Sequence, residues 1–262
     1  MGLTISKESF SQPSVRRPQP PPLTGGDALH ALAAAERVDQ YRRMVELSSP
    51  NRMSRSTLKY TPSVKTVKRE IPVASPPWPN GQVVWLQPES DNGLPHTRPP
   101  NLICLSTKIS PSSIDSILLH ERVHVSQRLH PSEWVKIFTK WSMTQWDGTI
   151  PGDVTLRQRL NPDIILVPHF IWKNTWVPLA IFKSLTMPDI QDVDVVWWNV
   201  ESRTLHRQAP PGWEDFFGKV HNGHEHPYEL SAYLVQNGDA SDSVKAYKVI
   251  KEDLNRLPSY EL

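Results

Sequence analysis

Apolar and polar positions change their period several times along the chain. Between positions 114 and 129, Ile114, Ile117, Leu118, Val125 and Leu129 fall on one helical stripe, with Leu119 and Val123 on the opposite side. This pattern predicts a helix buried nearly all round, and Pro111, Ser112 and Asp115 read as its capped start. Just before it, residues 83–86 and 102–105 are short apolar runs, separated by Pro88, Asn92-Gly93 and a Pro-rich stretch at 95–99. They predict two strands of a small sheet, with His96 and Arg98 as surface residues of the loop between them. After Pro131, with Ser132 as cap, helical spacing runs through Trp134, Ile137, Phe138, Trp141 and Gln145 until Asp147-Gly148 and Pro151-Gly152 end it. The Trp stripe reads as core.

The remaining segments divide the chain into three parts. Residues 1–26 are rich in Pro and Gly and read as a disordered, partly polyproline arm. Asp27 is positioned to cap a helix over 28–47, with Leu29, Leu32, Val38, Tyr41 and Val45 on one side and Glu36, Arg37, Arg42 and Arg43 on the other. Residues 48–63 are polar and basic, as in a linker, so 27–63 form the second part. The third, 64–262, opens on a weakly alternating stretch at 65–74 that predicts a strand broken at Pro72. Apolar runs at 164–167, 176–179 and 195–198, interrupted by Pro, Asn and Asp, predict an irregular region with a few strands along one wall of a cleft. Short helices are predicted near 213–217 and after Pro227, with His226 as cap, and a last one over about 240–256.

Candidate chemistry changes this picture at two places. His120-Glu121-Arg122-Val123-His124 is an H-E-x-x-H sequence inside the buried helix. Its histidines stand one turn apart, so both imidazoles leave the same face and can share one zinc ion. Glu121, on the edge of that face, is placed to take a proton from water. The plainer reading is a pair of core histidines held by hydrogen bonds, although a metal accounts for all three polar groups at once. The second place is 221–233, which gathers His224, Glu225, His226, Tyr228, Glu229 and Tyr233. Glu229 is the favoured third ligand, because it lies inside a helix two residues past Pro227, and His226 is its rival. Tyr233, Tyr228, His226 and His206 are the candidate oxyanion donors, and the sequence does not choose between them.

With His120, His124 and a later helical Glu229, the chain resembles the gluzincin metallopeptidases. The resemblance covers two short stretches. It implies an α+β, zincin-like fold: a small sheet, the H-E-x-x-H helix and a mainly helical C-terminal part. It also implies a zinc-dependent hydrolase acting on a peptide or protein substrate that can lie along the sheet edge. Gluzincins often carry an Asp four residues after the ligand Glu, and Tyr233 stands there instead, leaving the outer partner of a zinc histidine unidentified. His130 falls at the metzincin third-ligand spacing, but a helix continuing to Pro131 carries it about 15 Å from His120, too far for a shared ion.

Composition sets the limits. The net charge of +2 conceals a basic front, with 12 Lys/Arg against 6 Asp/Glu in residues 1–70. Met1-Gly2 through Ser6 fits an N-myristoylation pattern at Gly2 and resembles the start of an Arf-family GTPase, without a phosphate-binding loop after it. An acylated Gly2 plus the basic segment would attach the chain peripherally to a membrane surface. Cys104 is the sole cysteine, no N-x-S/T site occurs, and no secretory signal opens the sequence. These features suit a cytoplasmic protein. No specific nucleic-acid signal is present. An inactive zincin-fold binding protein and a membrane-attached interaction protein are the competing functions.

Overall fold

The structure is a computed structural model and describes residues 19–55, 60–63, 71–75, 77–254 and 256–257. Gly2, the arm before Gln19 and most of the strand expected at 65–74 lie outside the described residues. The fold is mixed α+β.

Helix α1 (Gly25–Asp39) starts before the predicted cap, with Thr24 at the N-cap and Asp27 in the first turn. Gln40, at φ 49°, separates it from α2 (Tyr41–Leu47). Asp39 anchors this break, accepting the Tyr41 N–H at 3.1 Å and gripping the Arg98 guanidinium at 2.6 and 2.7 Å. The break redistributes the faces: Ala28, Leu32, Tyr41 and Val45 are buried, whereas Leu29 and Val38 are exposed. Glu36 turns inward to Arg98 at 2.8 Å. The expected linker at 48–63 instead holds α3 (Ser49–Met53) and the buried Asn51, Arg55 and Tyr60.

Strands β1 (Gln82–Leu86), β2 (His96–Arg98) and β3 (Leu102–Ser106) form a sheet in the order β1-β3-β2. β1 runs parallel to β3, and β2 antiparallel to it. The two-residue side-chain period explains the continuous apolar runs, because both faces are covered. Val83, Trp85, Ile103 and Leu105 face Ile114, Leu118 and Val125. Val84, Leu86, Leu102 and Cys104 face α1 and α2. His96 and Arg98, expected at the surface, are 2% and 0% exposed. Their charges are met by a buried network that an isolated loop does not offer.

A short 3-10 turn leads into α4 (Ile114–Leu129) without a side-chain cap; the Ser112 hydroxyl pairs with Ser110 at 2.8 Å instead. Helix α5 (Pro131–Lys140) follows, with His130 rather than Ser132 at its N-cap position and no side-chain cap bond. It stops where Ser142 takes a positive φ of 59°, and Gln145 belongs to β4 (Met143–Trp146). After α6 (Gly152–Thr155) come β5 (His169–Trp172), β6 (Trp176–Phe182), β7 (Val193–Asn199) and β8 (Thr204–His206). With β4 they make an antiparallel five-stranded sheet in sequence order. The region is therefore more regular than expected, and this sheet precedes a C-terminal stretch from Trp213 to Leu254 whose elements are all helical. Residues 164–167, read as apolar enough for a strand, form turns.

One face of this sheet joins α5, α7 (Trp213–Phe217), α8 (Pro227–Asn237) and α9 (Lys245–Leu254) around Trp134, Trp141, Trp172, Trp197 and Trp213. Val123 of α4 enters the same core, so α4 is wedged between two hydrophobic clusters. Among the described residues, no helix is long and apolar enough to cross a membrane.

Candidate metal centre

Helix α4 supplies His120, Glu121 and His124, and α8 packs against it to bring up Glu229, Tyr233 and Gln236. His226 caps α8, its Nδ1 accepting the Tyr228 N–H at 3.2 Å, and Pro227 occupies the first turn. Glu229 then points at the two histidines. The Nε2 atoms of His120 and His124 are 3.1 Å apart, and each lies 3.5 Å from a Glu229 carboxylate oxygen. All three side chains are buried, with ligand-type atoms within 4.8 Å of one another.

Hydrogen bonds on the outer sides decide which atoms face inward. Gln127 Nε2 donates to the Tyr228 carbonyl at 3.0 Å and to Ser231 Oγ at 2.9 Å, so its Oε1 must face His124 Nδ1, 2.8 Å away. That oxygen can only accept, so Nδ1 carries the proton and the neutral ring presents an Nε2 lone pair inward. Gln236 Oε1 lies 3.0 Å from His120 Nδ1 and sets the same tautomer there. Asn161 Oδ1 accepts the Asp163 N–H at 3.0 Å, turning its amide nitrogen toward Glu229 Oε1 at 2.7 Å and Glu225 Oε1 at 2.9 Å. Two inward lone pairs 3.1 Å apart beside a carboxylate repel unless a cation sits among them. Burial works against charge on Glu229, yet the nearby His124 and His120 outweigh it and hold the carboxyl well below its usual range. For His124, burial opposes the cation, while Asp163 and Glu229 overcome it and push the imidazole up to about 9, so in the metal-free chain a proton fills the place among these atoms and a metal ion binds by displacing it. The donor set of two imidazoles and one carboxylate fits zinc, with room left in a four-coordinate shell.

Glu121 does not join the trio. Its carboxyl is 3% exposed and lines the adjoining cleft of about 260 Å³. Among the described residues, its Oε2 has no hydrogen-bond partner. Burial raises this carboxyl well above its ordinary value, and the charge of Asp163 adds to the rise. A carboxylate raised in this way is a stronger base toward a water proton than an ordinary one.

Tyr233 lies on the cleft wall, its ring edge-on to His120 at 4.6 Å and to His221 at 5.0 Å. Gly223 backs it so closely that a Cβ there would fall 2.2 Å from Tyr233 Cδ2. Burial first, and then Glu229, raise its phenol, which stays protonated and able to donate.

Other candidates stand elsewhere. His226 is fully engaged as a cap, with Nε2 3.2 Å from the Pro168 carbonyl, so it is neither ligand nor cleft donor here. Tyr228 is buried among Phe138 and Phe170. His206 is on an exposed strand against Trp176. α4 runs on to Leu129, leaving His130 outside the cluster. His224 accepts the Trp213 indole N–H at 2.8 Å, and Glu225 pairs with Arg159. His96 does reach the cleft, on the wall that also carries Asp91 and Arg55.

Sequence reasoning missed Gln127, Gln236 and Asn161. The two glutamines carry a signal, standing three residues after His124 and seven after Glu229, on the same helices as those ligands. Asn161, in a loop 68 residues from Glu229, carries none. Comparisons with family models, with curated proteins and with solved structures return no match to this chain.

Proposed function

We propose that the protein is a zinc-dependent peptidase with a zincin-type site, held by His120, His124 and Glu229. The observation carrying this reading is the pair of inward Nε2 atoms, fixed by outer amide oxygens, facing one carboxylate across a few ångströms. A small sheet before the H-E-x-x-H helix and a glutamate from a later helix are consistent with a gluzincin-like arrangement. Zinc bound there would supply Lewis acidity toward water and a substrate carbonyl.

The chain's own residues do the rest. Glu121 takes the proton of the attacking water on its unpartnered oxygen and hands it to the leaving amine, and its raised carboxyl strengthens it as a base for the first transfer. Tyr233 keeps its phenolic proton and donates toward the developing oxyanion, with the ring held by His120, His221 and Gly223. Intact Glu121 favours this reading over an inactive binding protein, which needs no base.

The test is hydrolysis of a mixed peptide pool by zinc-loaded protein, wild type against Glu121→Gln. The expected result is cleavage by the wild type and a loss of ~10²–10⁴-fold in the variant, with zinc retained. Absence of cleavage by zinc-loaded wild type, or equal rates in the two proteins, would refute it.

A further inference from the structure

Among the described residues, no strand edge of the cleft is open to a substrate. In an antiparallel pair, the N–H and C=O of one residue point to the same side of the strand. Among the three residues of β2, Thr97 is the one that faces away from β3. Its N–H donates to Asp163 Oδ1 at 2.7 Å, and its carbonyl accepts from Arg128 Nη2 at 3.1 Å. The Thr97 hydroxyl donates to the same Asp163 oxygen at 2.5 Å and accepts from Arg128 Nη1. Arg128 also reaches the Pro162 and Asp163 carbonyls at 3.3 and 3.4 Å, binding the 161–163 segment over the strand. Thr97 is wholly buried. The slot in which an extended peptide would pair with β2 is thus filled by the chain's own side chains. The opposite edge is closed too: the Val83 and Trp85 carbonyls accept from the Leu23 and Ser63 N–H groups at 2.8 and 2.7 Å. No strand of the five-stranded sheet lines the cleft.

What the cleft offers instead is side-chain polarity of both signs. Arg55, Asp91, Arg159 and Glu121 line it. Among the described residues, Arg55 Nε, Asp91 Oδ1, Arg159 Nε and Glu121 Oε2 are buried without hydrogen-bond partners, although Arg159 is ion-paired with Glu225 through Nη2. Arg55 Nε and Asp91 Oδ1 stand 3.9 Å apart, too far to satisfy each other by a direct hydrogen bond. A buried donor or acceptor left unpaired is costly, so a ligand that brings its own charges is favoured. A free peptide end brings an ammonium or a carboxylate, and the interior of an extended chain brings neither. The volume of about 260 Å³ is also small beside the ~300–1,000 Å³ of drug-sized sites.

We propose that the site acts on short peptides and free peptide ends, recognised by side chains, and excludes the middle of an extended polypeptide. What is cleaved rests on the peptidase reading; what fits rests on the closed edge and the cleft walls.

The experiment uses zinc-loaded, full-length Glu121→Gln protein as a trap. Equilibrium dialysis against a randomised pool of free-ended tripeptides and a randomised pool of acetylated, amidated decapeptides reads binding by mass spectrometry. The tripeptides should bind at least tenfold more tightly. Equal or tighter decapeptide binding, or no binding of either pool, overturns the proposal. Asp163→Ala, which frees the Thr97 N–H, and Arg128→Met, which frees its carbonyl, should each narrow the difference; a gap unchanged in both folded variants also overturns it. Turnover by the wild type separates the two claims. Cleavage of the blocked decapeptides as fast as the tripeptides refutes the size limit and leaves the peptidase reading intact. Selective tripeptide binding with no cleavage supports the size limit and refutes the peptidase.

Discussion

Gln127 shows how a single side chain can dictate the chemistry of another. Its amide nitrogen is committed to Tyr228 and Ser231, so its oxygen, and through it the His124 tautomer, has no freedom. Gln236 performs the same task for His120 from a partly exposed position, which makes it the cleaner residue to remove. Outer partners of metal histidines are worth ~10–100-fold in affinity. Gln236→Leu should weaken zinc binding by that factor in a chelator competition while leaving thermal unfolding of the metal-free protein almost unchanged. His226 makes the converse case. Sequence spacing made it a rival ligand, but its imidazole caps α8. His226→Ala should cost about 1 kcal/mol of stability in a denaturant titration, and His226→Asn should recover most of it. Zinc affinity should stay within about threefold of wild type in both, well short of the tenfold that 1.4 kcal/mol represents. The pairing of His120 and His124 was legible because their spacing is local to a helix turn, whereas Glu229 was singled out by its helical position alone and its approach to them is tertiary. Asn161 was not, because its contact with Glu229 is made entirely by tertiary folding.

Helix α4 is the element on which the site depends, and its apolar positions serve three neighbours at once. Leu118 packs against the three-stranded sheet, Val123 enters the Trp-rich core, and the His face meets α8. Leu118 is fully buried, so Leu118→Ala should destabilise the protein by ~2–5 kcal/mol through lost burial and a residual cavity. Calorimetry would check this, and a loss under 1 kcal/mol would mean that the helix is not clamped as described. The strands before α4 could be read from their apolar runs. β2 could not: its residues are His, Thr and Arg, and they become strand because Asp39, Asp163 and Tyr60 await them. Gln145 misled in the other direction, since helical spacing continued by coincidence past the turn at Ser142 into an edge strand. Tertiary pairing overrides local periodicity at such places.

At the scale of the whole molecule, the site is assembled from segments more than a hundred residues apart, His120 and Gln236 among them. The five-stranded sheet and the loop at 159–163 stand between them in sequence, and that loop closes one wall of the cleft. Pattern reading could place a wall in this region without seeing the regular sheet behind it, because Pro, Asn and Asp interrupt the apolar runs. A preformed trio with fixed inward atoms should bind its ion without large rearrangement. Structural zinc sites bind with about 10–16 kcal/mol. Shared among four ligands, this is roughly 3 kcal/mol each, or ~100-fold in affinity. The most direct measurement is therefore zinc titration of the metal-free chain, wild type beside Glu229→Ala. The account predicts one zinc per wild-type chain and binding weakened on the order of 100-fold or more in the variant, with the fold retained. A folded wild-type chain that takes up no zinc, or a variant that binds it equally well, would contradict the account.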